Sequence, residues 1–424
     1  MSDTAMQWPD ADGVEVVMVA MEGPDPWSQV GGLGTRVTGL TQALAARGVL
    51  THLVFWGDPQ APAEEQRGPL ELVRWNPALN RRWPEGVYAG EAERVADWER
   101  HLPEFLIERW IAPAVAMGRE VVVLAEEWQT ANLLIALSDR LHALGLRPQV
   151  TLVWNANNLY GFDRLDWRRL QFVAHLTTVS RFMKQKVAEW GGQAVVIPNG
   201  IAASAWTAPP AALVAALKAA RGEDLLLAKV ARYDPDKRWP MALEALQRLR
   251  RHRHRARILV RGHRAPYREV VRAAAKALGL EWETIEWASG ELAGALAATT
   301  AAVVELGQRL ADDELKALYG VADAVLAQSG MEPFGLVGLE VMAQGGVAVT
   351  GGTGEDYAVP YVNALVVDTD QAEELEGHLE ALACDPELGR RLRANGPPTA
   401  RSYAWDTVID GFWRRLRQFR RAPK

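Results

Sequence analysis

The sequence predicts an α/β protein of two domains, each a doubly wound parallel sheet with helices on both faces. Three observations predict it. The chain has 424 residues, and single hydrophobic cores stop growing near roughly 250–300, so two domains with a cleft between them are expected. Short apolar runs alternate with stretches of helical period in both halves, the pattern of parallel strands joined by helical crossovers. The alternation is interrupted near residue 200 by Pro198-Asn199-Gly200, a strong turn signal, and by an Ala- and Pro-rich connection over 202–215.

In the first half, residues 14–20, 51–56, 121–124 and 150–154 are apolar runs of strand length. Amphipathic helices are expected at 38–47, ended by Gly48, and at 131–144. A short strand at 194–197 runs into the turn. In the second half, strands are expected at 225–230, 257–260, 324–327 and 347–350, with helices at 240–250, 268–278, 312–319 and 336–344. Residues 211–220, rich in Ala but carrying Lys218, suit a surface helix. The last helix, 405–421, is followed by nothing that could form another strand. The expected organisation is therefore 1–200, 201–404 and a C-terminal helix over 405–424.

Composition narrows the function. With 49% apolar and 24% charged residues, the chain is neither disordered nor fibrous. A net charge of −6 disfavours a general nucleic-acid surface. The basic run from Arg248 to Arg264 lacks interleaved aromatics for base stacking, which suits a solvated helix end. One cysteine, Cys384, excludes a disulfide framework and a multi-cysteine metal site, and suits a reducing cytoplasm. Residues 1–13 lack the basic and apolar regions of a signal peptide. No stretch reaches the ~18–20 apolar residues of a membrane span. Nothing fixes an oligomeric state. Tryptophan is in excess: 17 against 8 Tyr and 8 Phe, with twelve of them in the first 206 residues.

Four segments stand where chemistry is expected, after strands. Gly31-Gly32-Leu33-Gly34 precedes a helix, where glycines admit close backbone approach and free amides suit an anion. It is not the G-x-G-x-x-G of a dinucleotide site. Arg232 and Lys237 follow the strand 225–230 across a Pro-containing turn; a planar fork beside a point charge suits a diphosphate. Glu332-Pro333-Phe334-Gly335-Leu336-Val337-Gly338-Leu339-Glu340 follows a strand and opens a helix. If helical throughout, it sets its carboxylates about 12 Å apart, able to hold two hydroxyl-bearing parts of one ligand. Thr350-Gly351-Gly352-Thr353-Gly354-Glu355-Asp356 is the fourth, a tight turn or a close backbone approach to a ligand.

Together these residues resemble retaining glycosyltransferases of the GT-B fold, with two Rossmann-like domains, in the group that contains bacterial glycogen and starch synthases. Val30-Gly31-Gly32-Leu33-Gly34 is similar to the family's N-terminal glycine loop. Glu127-Trp128-Gln129-Thr130 is similar to its Asp-Trp-Gln-Thr segment, with Glu for Asp. Thr178-Val179-Ser180 and Val196-Ile197-Pro198-Asn199-Gly200-Ile201 resemble the approach to the interdomain linker. Arg232 and Lys237 occupy the paired cationic positions, and Glu332 to Glu340 is the E-x7-E element, followed by Gly351-Gly352. Trp405 opens a segment like the helix that packs back on the first domain.

The resemblance implies transfer of a hexosyl group from an ADP-, UDP- or GDP-sugar, with retention and without a metal or other cofactor. It makes Arg232, Lys237 and Glu332 the catalytic set. The first two would neutralise the diphosphate and Glu332 would hold sugar hydroxyls. Gly31, Gly32, Leu33, Phe334, Gly335 and Leu336 would line the donor, with Glu340 on the ribose. The first domain would bind the acceptor through Gln29, Glu127, Trp128, Asn155, Asn157 and Asn158. An α-1,4-glucan is the first choice of acceptor and a small sugar or sugar phosphate the second. Two positions depart from the family: Gln29 replaces its lysine, and 153–161 lacks its histidine. They leave room for a nucleotide-sugar-binding regulator of weak activity. His175, in an apolar run, suits the core. Trp27, Trp128 and Trp154, beside candidate loops, would pack on sugar rings.

Overall fold

The computed structural model describes residues 13–222, 224–252, 255–262 and 266–421. Residues 1–12 of the N-terminal segment, and 253, 254, 263 and 264 of the basic run, lie outside the described residues. The chain forms two compact units, Met1–Gly200 with Trp405–Lys424, and Ile201–Ala404.

The first unit is built on eight strands: β1 (Val14–Ala20), β2 (Leu50–Phe55), β3 (Glu64–Arg67), β4 (Leu70–Arg74), β5 (Glu120–Glu126), β6 (Val150–Ala156), β7 (His175–Thr178) and β8 (Ala194–Val196). Their order is β3-β4-β2-β1-β5-β6-β7-β8. All seven residues of β1 are buried and all but Glu15 are apolar, because a central parallel strand is covered on both faces. The sheet is not wholly parallel as expected: β3 pairs antiparallel with β4. Its sequence, Glu-Glu-Gln-Arg, has no apolar face, and these charged residues blunt the sheet edge.

The glycine motif is not a loop ahead of the first helix. The helix runs Gly32–Ala46, so Gly32-Leu33-Gly34 is its first turn, where amides have no intrahelical acceptor. Leu33, Val37, Leu40 and Leu44 form its buried stripe. The helix Trp405–Arg421 adds Trp405, Val408, Ile409, Phe412, Trp413, Leu416 and Phe419 to the same core. Gly39 admits this contact: a Cβ there would stand 2.1 Å from the Trp405 indole nitrogen. His175 is buried and stacked on Phe419, with ring centres 4.3 Å apart, which makes it a core residue.

The second unit has seven strands, all pairs parallel: β9 (Leu225–Val230), β10 (Ala256–Arg261), β11 (Trp282–Ile285), β12 (Val303–Leu306), β13 (Ala324–Leu326), β14 (Ala348–Gly351) and β15 (Leu365–Val367). The order is β11-β12-β10-β9-β13-β14-β15. Residues 202–215 are not a plain connection: they hold a 3-10 turn, Ala203–Trp206, and the start of the helix Ala211–Arg221. In both units the chain leaves the first strand toward one edge of the sheet and returns to build the other. The reversals lie between β1 and β5 and between β9 and β13, and ligands of open α/β sheets bind beyond the carboxyl ends of strands at such points. Among the described residues no helix is long and apolar enough to cross a membrane.

Candidate active site

In the second unit, β9 delivers residues 231–238. Arg232 is exposed, while its carbonyl accepts the indole N–H of buried Trp239 at 2.9 Å. Asp234 caps the turn Pro235–Lys237 by accepting the Asp236 amide at 2.9 Å. The segment after β13 docks on this turn. The Met331 amide donates to the Asp236 carboxylate at 2.9 Å, and the Gly330 amide donates to the Asp236 carbonyl at 2.8 Å. Lys237 then donates to Glu332 at 2.7 Å and to the Ser329 hydroxyl at 3.2 Å. Lys237 and Glu332, 95 residues apart, thus meet because β9 and β13 are neighbours, and Arg232 leaves the carboxyl end of the same β9.

The E-x7-E element is helical only from Leu336 to Ala343, so the 12 Å separation expected from a continuous helix does not apply. Glu332 lies in the loop, its amide donating to the Thr353 hydroxyl at 3.0 Å. Phe334 is buried against Tyr357 and Tyr403, so its side chain is core. Glu340 is pushed up to about 7 by burial and by the nearby charge of Asp312. Asp312 in turn lines an open pocket of about 680 Å³ with Val230, Arg261, Trp287, Gln308 and Leu310. The pocket opens past the ends of β9, β10 and β12. Buried polar atoms without a hydrogen-bond partner lie after β9, after β13 and in β14: Nε and Nη1 of Arg238, Gln328 Nε2 and Thr350 Oγ1. Native interiors rarely leave such atoms unmet, so each marks a place for a polar ligand or water.

In the first unit, Glu22 organises the glycine turn. One carboxylate oxygen accepts the amides of Val30, Gly31 and Gly34 at 2.9–3.0 Å, and the other accepts the Tyr88 hydroxyl at 2.6 Å. A residue of the chain itself therefore takes three of the amides that the glycine motif offers to an anion. Gln29, Gly31 and Gly32 are exposed, whereas the Leu33 side chain is in the core.

At the end of β5, Glu127 adopts φ 69° and is buried, accepting the Asn157 amide at 2.7 Å. Burial above all, then the charge of Glu126, pushes its carboxyl well up. The Asn155 amide bridges Glu126 and Thr177 at 2.8 and 2.9 Å, and Asn157 donates to Glu126 at 2.5 Å. Both serve a buried network with Arg36, which reaches Glu126 at 3.1 Å; Asn158 is half-buried. Trp128 is also half-buried, its face covered by Arg164 at 4.4 Å and its edge by Tyr160. Glu91 joins this cluster by accepting from Gln129 at 2.8 Å and from the Tyr160 hydroxyl at 3.4 Å.

Residues 216–398 match the family described as glycosyl transferases group 1. The match lies within the second unit. The whole chain has the GT-B fold of glycosyltransferases. It superposes on sucrose-phosphate synthase from Thermosynechococcus elongatus with TM-score 0.69 and 20% identity, covering 97% of this chain and 100% of that one. The catalytic domain of starch synthase IV from Arabidopsis thaliana gives 0.67 and 16%, covering 95% and 99%. Anabaena HepE gives 0.64 and 16%, covering 95% and 100%. No curated protein sequence matches significantly.

Sequence reasoning missed several residues of these sites. Glu22 and Tyr88 carry no local motif, and the pocket residues 308–312 follow β12, which lay in an unassigned stretch. Glu355 sat in a segment noted only for its glycines. It is buried against Gly335. Burial first, then the Glu332 charge, raises its pKa to about 8. A carboxyl whose folded pKa is raised favours the protonated fold, so stability falls as pH rises from the unfolded value near 4.5 through about 8. Glu355→Gln removes that titration. The difference in unfolding midpoint, variant minus parent, is expected to grow between pH 5 and 9 in thermal melts; a constant difference would mean Glu355 is already ionised.

Proposed function

We propose that this chain is a retaining glycosyltransferase, moving a glucosyl or similar hexosyl group from a nucleoside-diphosphate sugar to an acceptor hydroxyl. The observation that carries the proposal is the convergence of Arg232, Lys237 and Glu332 at the carboxyl ends of β9 and β13, with Lys237 and Glu332 2.7 Å apart. The departing diphosphate gains charge as the anomeric C–O bond breaks, and preorganised cations act most strongly on that charge. The acceptor oxygen bonds to the same face of the anomeric carbon, and the leaving phosphate takes its proton. Arg232 and Lys237 neutralise the diphosphate where another enzyme would use a metal. Glu332 holds sugar hydroxyls, Glu340 the ribose, and the adjoining pocket the base. Phe334, Gly335 and Leu336 approach the donor through their backbone. The proposed setting is cytoplasmic.

The first unit holds the acceptor, for which we favour an α-1,4-glucan. Support comes from the exposed Tyr160 beside Trp128 and from the starch synthase neighbour, bound to ADP and acarbose. A sugar phosphate is the second choice, favoured by the cation of Arg164 over Trp128. A panel of ADP-, UDP- and GDP-glucose against glycogen, maltooligosaccharides, free sugars and sugar phosphates decides between them. The expected outcome is nucleotide release with an α-linked product on glucan. Tight nucleotide binding without product on any acceptor would leave a regulator instead.

A further inference from the structure

Lys229, next to last in β9, has no part in the mechanism above. It is 1% exposed, and the interior strand of an open sheet is a costly place for an ammonium. Its Nζ donates to the Leu326 carbonyl at 3.1 Å, the Gln328 side-chain oxygen at 3.4 Å and the Gln328 carbonyl at 3.5 Å, and it lies 5.4 Å from the Trp239 ring centre. All three acceptors are uncharged, and all belong to the end of β13 and the residues after it. Ser329, the next residue, holds Lys237. Two ammonium groups are thus tied to successive residues of the segment that carries Glu332.

The neighbouring cations have carboxylate partners, Arg238 in Asp370 at 2.5 Å and Lys237 in Glu332 at 2.7 Å, with Asp236 at 3.9 Å, whereas the acceptors of Lys229 are all neutral. Lys237 and Arg238 act against its charge and Glu332 acts for it. Asp236 is also engaged with the Met331 amide, and Glu355, held up near 8, adds little negative charge at neutral pH. Burial first, then Lys237 and Arg238, brings the amine down to about 7. A nucleoside diphosphate bound by Arg232 and Lys237 would add negative charge on the side of the buried amine where Lys237 now acts against it.

Resting on the donor site proposed above, we infer that Lys229 couples donor binding to proton uptake. Its buried amine takes a proton from solvent when the diphosphate enters, and the ammonium then grips the segment 326–328 behind Ser329 and Glu332. One N–H bond forms and no other covalent bond changes. Lys229 is a positioning residue, since it touches the loop and not the donor.

Calorimetric titration with ADP, UDP and GDP at pH 8, in buffers of different ionisation enthalpy, tests this. The parent protein is expected to take up nearly one proton per nucleotide bound, and its affinity to fall about tenfold per pH unit above pH 7.5. Lys229→Met, an apolar change of similar volume that a core tolerates, is expected to bind without uptake and with little pH dependence. Lys229→Arg, charged at every pH in the range, is expected to bind without uptake as well. Glu340 and Glu355 also titrate in this window; uptake that survives in both variants belongs to them and overturns the inference. Parent binding without buffer-dependent heat overturns it too. Failure of all three nucleotides to bind overturns the donor site itself, and the inference with it.

Discussion

Arg232→Ala is expected to lower turnover about 10²–10³-fold, the loss of one preorganised group from a developing anion, or about 2.7–4 kcal/mol. The structure makes this a clean change. The Arg232 guanidinium is exposed, and what it gives to the core is its backbone carbonyl, which accepts from Trp239 and survives in alanine. Circular dichroism and melting temperature should therefore stay at parent values while kcat falls. Arg232→Lys keeps the charge but loses the planar fork that binds two phosphate oxygens at once, so its rate should lie between the two. Lys237→Ala confounds two effects, because it also frees the Glu332 carboxylate from its 2.7 Å partner. Nearly parent turnover in Arg232→Ala would remove this side chain from the diphosphate site.

What made Arg232, Lys237 and Glu332 legible in the sequence is position. Each follows a largely apolar strand, and the carboxyl ends of such strands are where α/β sheets place ligands. The strands β1, β9 and β13 were legible for the same reason, since burial on both faces leaves an apolar run, broken only at Glu15 in β1 and Lys229 in β9. The strands β3 and β11, Glu-Glu-Gln-Arg and Trp-Glu-Thr-Ile, lie at sheet edges and carry no such signal. The helix Pro386–Arg401 was hidden by Pro397 and Pro398 inside it. Glu22 and Glu355 were illegible for another reason. Whether a carboxylate turns inward to hold a glycine turn or outward to water depends on partners far along the chain, here Tyr88 for Glu22. Lys229 was passed over inside the strand 225–230, although a charge in an apolar run is the kind of local inconsistency that marks a functional position. Asn155 and Asn157 show the converse: the family resemblance suggested sugar contacts, and the fold turns both amides to Glu126.

Trp154→Ala is expected to destabilise the protein by about 3–5 kcal/mol, the range for removing a buried Trp or Phe, whereas Trp128→Ala should act on the acceptor. The excess of tryptophan in the first half had suggested one role for both, and the structure separates them. Trp154 is 0% exposed, edge-on to Trp167 with ring centres 5.7 Å apart, and its N–H donates to the Glu127 carbonyl at 2.8 Å. Alanine leaves a cavity there and takes from that carbonyl one of its donors, leaving those of Thr130, and both effects carry over to the backbone at Glu127. The cost is a large fraction of the usual 5–15 kcal/mol of net stability. Trp128 is half-buried beside the exposed Tyr160 and packs against Gly161, where a Cβ would stand 2.3 Å from the ring. Its removal opens a smaller gap than that of Trp154 but takes away the indole that Arg164 and Tyr160 pack against, an aromatic cluster of the kind that lies on a pyranose ring. The expected result is an acceptor KM raised about tenfold, or about 1.4 kcal/mol, with nucleotide affinity and melting temperature close to parent. Denaturant unfolding of both variants, set beside KM for maltooligosaccharide, separates the two roles. A Trp128→Ala protein that loses stability and keeps its acceptor KM would place that residue in the core with Trp154, and would leave the surplus of indoles to packing alone.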